Sequence, residues 1–334
     1  MDGPLKVMPA GEMMIDEPPT LSDRLAPAVN FKLEPALKLP CAAVFKLRLP
    51  LDIVFVFTAN PEDYTNRGSI VTPLKDRIES QILTHYPKTI DVGLAITEQE
   101  AAIHPEQSKK VEIGDLMKRI IEQVAFEARN SEYVDKKSGV SARLTISAYE
   151  NAVSTAELRA IQNKEKQTQV WMSDLIGVIP SNTGKIELVY EGEQEGPYQV
   201  AFHLLDKAIR TQFLQYFPNP EQIKKRRGEA ATDNPYKSIS NWFDKGNQLS
   251  LLMNTKDEAK IQQLYSVDGL YPLVKKYFKG ANEKQSALLM EFVLNGLAAY
   301  SIISKKVVEG RIEFNDLVGS MINLGPTANE DDAE

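Results

Sequence analysis

Hydrophobic and polar positions divide the chain into an irregular start, one apolar run and a long helical remainder. Over residues 1–50, Pro18, Pro19, Pro27, Pro35 and Pro40 recur too often for a long helix, because proline lacks the amide donor and clashes with the preceding turn. Residues 53–58 are apolar on both faces and rich in β-branched and aromatic side chains, the pattern of a buried strand in a parallel sheet. That run stops at Ala59-Asn60-Pro61, a turn signal. From about residue 109 the period changes. Val111, Ile113, Leu116, Met117, Ile120, Ile121, Val124 and Ala125 recur at helical spacing and predict one apolar helix face. Ser141 opens a second predicted helix carrying Leu144, Ile146, Tyr149, Ala152, Val153, Ala156 and Leu158. Residues 177–199 hold four glycines and two prolines, which predicts a loop, a short extended segment at 186–190 and a turn. Further helices are predicted over 199–216, 260–279 and 283–306, with a charged linker at 224–233 and a disordered acidic tail.

One strand followed almost entirely by helices is unusual for a complete α/β domain, which alternates the two from its start. Either the chain is mainly helical with a small sheet, or the remaining strands of the core lie upstream of it. Its 334 residues leave room for two domains. A formal net charge of −7 disfavours nucleic acid as the main partner, since phosphate binding needs a cationic surface. The basic run at 224–227 reads as a solvated linker before it reads as a nucleic-acid contact. A single cysteine, Cys41, excludes a disulfide framework and fits a reducing compartment. The first residues lack a signal-peptide apolar stretch, and no apolar run approaches the ~20 residues a membrane span takes. A soluble, cytoplasmic protein is therefore expected. His85, His104 and His203 are scattered without metal-ligand spacing.

Candidate chemistry lies in four places. Asp16 and Glu17 follow the short apolar run Met13-Met14-Ile15, and adjacent acids at a strand end suit nucleotide hydrolysis. Asn60 sits at the tip of the apolar strand, where parallel sheets bind ligands. Arg67 and Arg77 follow, and arginine suits the charge of a transferring phosphoryl group. Arg143 opens the Ser141 helix. Each has an ordinary reading too: a solvated acidic turn, an Asn-Pro turn, surface ion pairs. The stretch Asn182-Thr183-Gly184-Lys185-Ile186 is not a phosphate loop, lacking the first glycine and the Ser/Thr, and preceding an extended segment.

Taken in order, the acid pair, the strand ending in TAN-P, the LKDRI segment and SAR opening a helix resemble the AAA+ module. The string FTANPEDYTNRGSIVTPLKDRI resembles ATPases of the magnesium-chelatase/MoxR group, and IPSNTGKIELVYEGEQEG is similar to a bacterial chelatase-I-like subfamily. The likeness is densest over residues 51–200 and continues to about 320. It implies a partial α/β AAA+ core, a parallel-sheet remnant, followed by a mostly α-helical lid and C-terminal extension. The implied organisation is a core at 1–105, a helical lid and chelatase-like segment at 106–223, a linker at 224–234, a C-terminal helical domain at 235–325 and a tail at 326–334. By the same resemblance Asp16 and Glu17 match the Walker B acids, with Asp16 toward magnesium. Asn60 matches the first sensor, Arg77 the arginine finger and Arg143 the second sensor. The implied cofactors are ATP and Mg2+, and the implied assembly is a ring, usually a hexamer, that remodels a protein partner. No GxxxxGK[ST] phosphate loop occurs in the sequence, so a chain truncated before the Walker B segment and inactive alone is expected. The alternative is a non-catalytic protein docking onto an intact ring.

Overall fold

The computed structural model describes residues 80–136, 138–225 and 234–317, together with the backbone of five short strands before them. Contacts divide the chain into two compact units, Met1–His85 and Tyr86–Glu334.

In the first unit, β1 (Leu5–Val7), β2 (Glu12–Ile15) and β5 (Val54–Phe57) form one sheet in the order β1-β2-β5. Strand β1 is antiparallel to β2, and β2 is parallel to β5 with Glu12 opposite Val54 and Ile15 opposite Phe57. The apolar run at 53–58 thus yields a strand in a parallel pair, as its two-faced pattern predicts. A separate hairpin joins β3 (Ala36–Lys38) to β4 (Arg48–Pro50), in a region expected to be irregular.

The second unit is mostly helical. Its first elements are α1 (Ile90–Glu100), α2 (Pro105–Lys110), β6 (Val111–Glu112) and α3 (Asp115–Asn130). The predicted helix from Val111 starts four residues later, because Gly114 caps α3 while Val111 and Glu112 pair in parallel with β7 (Thr168–Gln169). Within α3, Leu116, Met117, Ile120, Ile121, Val124, Ala125 and Ala128 are all buried, the three- and four-residue spacing read from the sequence. Helix α4 (Arg143–Gln162) follows, and Met172–Val178 form a 3-10 helix.

The segment expected to be a loop and strand is largely short helix, α5 (Ile179–Thr183) and α6 (Tyr190–Glu195). Only Leu188 of the expected extended stretch pairs, in a bridge to Val134. Helix α7 (Pro197–Tyr216) starts on a proline, whose fixed φ suits a first helical turn. Helix α8 (Pro220–Lys225) runs into the expected linker, and residues 226–233 lie outside the described residues. Helix α9 (Lys237–Asp244) and strand β8 (Leu249–Leu252) come next.

The single helix predicted over 260–279 is two, α10 (Asp257–Tyr265) and α11 (Leu270–Tyr277). Gly269 breaks it in the left-handed region at φ 80°, a conformation that costs other residues. Helix α12 (Glu283–Ala299) begins with a capping box in which Asn282 accepts from the Gln285 amide at 2.8 Å and Gln285 accepts from the Asn282 amide at 3.1 Å. It stops seven residues short of its predicted end at 306. There β9 (Ser304–Val308) and β10 (Arg311–Asn315) make a hairpin. Its turn, Glu309-Gly310, has φ 44° and 79°, the double positive φ that right-handed strand twist favours in two-residue turns. Strand β10 also pairs antiparallel with β8.

One hydrophobic core runs from Val111 to Phe314, so the segments expected as 106–223 and 235–325 share their interior. Phe213 of α7 is its hub, with ring neighbours Phe217, Tyr236, Phe292 and Tyr300 at centroid distances of 5.3 to 6.1 Å. Among the described residues no helix is long and apolar enough to cross a membrane.

Candidate functional site

The parallel pair β2–β5 brings two candidate segments to neighbouring strands. Ile15 and Phe57 are register partners, and Asp16 and Thr58 follow them directly in sequence. Asp16, Glu17, Asn60, Arg67 and Arg77 themselves lie outside the described residues.

Arg143 is described. It is the first residue of α4, and its side chain is exposed. The Arg143 amide donates to Ser141 Oγ at 3.2 Å, so the serine that signals the helix start helps to close its first turn. The next two residues anchor that turn. Leu144 is fully buried, and Thr145 Oγ1 lies 2.9 Å from Thr97 Oγ1 on α1. Thr97 also donates to Glu122 Oε2 of α3 at 3.1 Å. Burial raises the Glu122 carboxyl above its ordinary pKa, against the Thr97 hydrogen bond and the positive charge of Arg129. A methyl on Gly93 would overlap the Glu122 carboxylate, so glycine there is what lets α1 approach α3. Arg143 therefore projects from a rigid three-helix corner. An exposed, always charged guanidinium there can meet an anionic group from outside.

A second polar cluster lies deep in the same unit. Arg159 of α4 donates to Asp174 Oδ1 at 3.1 Å and to Asp257 Oδ1 at 2.8 Å, with Glu165 at 3.8 Å. It also donates to Thr168 Oγ1 and the Gln169 carbonyl. Asp257 accepts in addition from Trp171 Nε1 at 2.8 Å and from Thr168. Burial alone would raise the Asp257 pKa; the Trp171 hydrogen bond and the Arg159 charge outweigh it and hold the carboxyl below its ordinary value. Beside this, Lys260 donates to Ser173 and faces Glu291 at 3.9 Å, both charges fully buried. Glu291 takes the Met172 and Ser173 amides at 3.1 Å each. Burial nonetheless raises its pKa, against the Lys260 charge. These groups fasten the 3-10 helix to α4, α10 and α12. Their bonds are internal, which makes the cluster a structural fastening of the fold.

No family model, curated protein or solved structure matches the chain.

Asn182-Thr183-Gly184-Lys185-Ile186 lies at the end of α5 rather than leading into a helix, which agrees with its rejection as a phosphate loop. His104 caps α2, taking the Glu106 amide on Nδ1 at 3.4 Å. His85 and His203 are exposed. Among the described residues no three of His, Cys, Asp or Glu are grouped to hold a metal. The implied magnesium ligand, Asp16, is outside them, as is Cys41. Trp171 is a fully buried core residue. Sequence reasoning missed Glu122 and Arg159. The signal for Arg159 was present, since it occupies the apolar stripe Ala152, Ala156, Ala160 of its own helix.

Proposed function

We propose that the chain is a partial AAA+-type ATPase subunit of the magnesium-chelatase/MoxR kind, whose parent activity is ATP hydrolysis coupled to remodelling of a partner. The supporting observation is the in-register parallel pairing of Glu12–Ile15 with Val54–Phe57. Asp16 and Glu17 follow the first of these strands in sequence and Asn60 lies three residues after the second, and ligands of parallel sheets bind beyond the carboxyl ends of the strands. In this reading Glu17 polarises the attacking water and Asn60 orients it. Arg77 reaches the nucleotide of a neighbouring subunit, and Arg143 meets the phosphates from the lid. Magnesium, when bound through Asp16, supplies charge neutralisation at the phosphates.

A second reading, a non-catalytic subunit docking onto an intact ring, is favoured by two observations. The sequence has no GxxxxGK[ST], and Leu158 and Ile161 stand 55% exposed one turn apart on α4. One experiment separates the two. The purified chain should show no ATP turnover by itself, because most phosphate contacts in such enzymes come from that loop. Mixed with an intact homologous subunit, it should co-elute and change that subunit's ATPase rate, and Arg77→Ala should abolish any stimulation. Glu17-dependent hydrolysis by the chain alone would overturn the expected inactivity. Absence of both co-elution and a rate change would remove the docking reading.

A further inference from the structure

The end of α3 holds an arginine whose charge is incompletely satisfied. Arg129 Nε donates to the Val140 carbonyl at 3.2 Å. Its two terminal nitrogens are buried, and neither has a hydrogen-bond acceptor among the described residues. The Tyr86 ring lies over the guanidinium, 4.4 Å from carbon Cζ to the ring centroid, and the Phe126 ring lies at 5.4 Å. Burial lowers the Arg129 pKa, against the negative charge of Glu122. Aromatic faces offset only part of the cost of burying charged donors without acceptors.

Tyr86 is the exposed part of this arrangement. Its side chain is 46% exposed, and its hydroxyl accepts from the Val140 amide at 3.0 Å. Gly139, at φ 71°, lies against that hydroxyl, and a methyl there would collide with it. The loop is thus shaped to let the tyrosine lie across the arginine. The two terminal nitrogens of Arg129 left without acceptors make a planar fork of donors, the geometry that fits phosphate oxygens. Two further cations on the same connection, Lys136 and Arg143, are exposed. Arg143 is three residues beyond Val140, which keeps their Cα atoms within about 11 Å. Acidic side chains share this stretch, Glu127, Glu132 and Asp135 beside the buried Glu122, so the unpartnered donors of Arg129 rather than an excess of positive charge carry the site.

We propose that Arg129, capped by Tyr86 at the α3–α4 connection, is a binding site for a phosphate group, opened when Tyr86 leaves. The site stands on this geometry alone and does not need Arg143 to act as a sensor.

Calorimetric titration of the full chain with inorganic pyrophosphate at low ionic strength tests it. Tyr86→Ala should bind at least about tenfold more tightly than the wild type, the scale of one exposed charge-assisted contact. Adding Arg129→Met should remove the gain. Adding Arg129→Lys in its place, which keeps the charge if the methionine variant fails to fold, should remove most of it, because an ammonium lacks the fork. No gain in Tyr86→Ala would overturn the proposal, as would a gain that survives both substitutions at Arg129. The ATPase mixing experiment is independent of this result, so the two readings fail separately.

Discussion

At the residue scale, the informative positions are charges in places where apolar side chains are the rule. Asp257 is 4% exposed and carries hydrogen bonds from Arg159, Thr168 and Trp171. Removing one partner of such a network leaves the other charge buried and alone, so Asp257→Ala should cost roughly 3–5 kcal/mol at pH 7. The pH dependence has a definite sign. Asp257 has a folded pKa below its ordinary 3.8, so its contribution is present above that value and is lost as pH falls through the lower folded pKa. Urea midpoints should therefore separate wild type and Asp257→Ala widely at pH 7 and equally at pH 5, and converge below pH 3.8. A gap that persists unchanged in strong acid would show that the carboxylate charge is not what holds Arg159. Arg143 was legible as a candidate because it opens a helix behind a serine. Arg129 and Tyr86 were not, since they lie 43 residues apart and come into contact only in the folded chain, where both also bond to Val140.

At the element scale, helices α7 and α12 cross where a glycine removes a side chain. Gly296 lies inside α12, where glycine is a poor helix former, and a methyl there would overlap the Phe213 ring. Replacing glycine by alanine in a helix interior normally stabilises by about 1 kcal/mol. Here Phe213 is hemmed in by Phe217, Phe292, Tyr236 and Tyr300 and has little room to move. Overpacking of about 1–3 kcal/mol should then win, and Gly296→Ala should lower the melting temperature. A raised melting temperature would mean that the ring shifts freely and the crossing is loosely packed. Helices with a continuous apolar stripe were legible in advance, α3 and α4 above all. The β9–β10 hairpin was not, because Lys305-Lys306-Val307-Val308 follows a helix without a proline and alternates only weakly. Strand β10 of the hairpin pairs with β8, whose residues lie 59 to 65 positions upstream of their partners.

At the scale of the whole molecule, the second unit unites segments that the sequence suggests as two domains. Arg159 and Trp171, before the 226–233 segment, are hydrogen-bonded to Asp257, after it. The two tryptophans in the sequence report on opposite sides of that segment, Trp171 and Trp242. Residues 86–317 produced as a separate piece should unfold in urea as one transition. Trp242→Phe, leaving Trp171 as reporter, and Trp171→Phe, leaving Trp242, should give tryptophan-fluorescence transitions that each coincide with the loss of helix in the same variant. Because Trp171→Phe also deletes a buried hydrogen bond, only agreement within each variant counts. Separate transitions for fluorescence and helix would favour the two-domain organisation.

Local physics carried the rest. Hydrophobic periodicity, proline placement and the helix-opening serine determined, without any tertiary information, an apolar strand near the start, helices α3, α4, α7 and α12, and Arg143 at a helix start. These depend on neighbours three or four residues apart, or two in a strand, and so are written in the chain itself. Tertiary structure alone decided which strand lies beside β5, where the charged Arg159, Asp257, Lys260 and Glu291 go, and that Tyr86 covers Arg129. Each of those pairings joins residues distant in sequence. It is selected by whether a buried charge finds a partner and a buried ring finds space, and neither condition can be evaluated until the chain is folded.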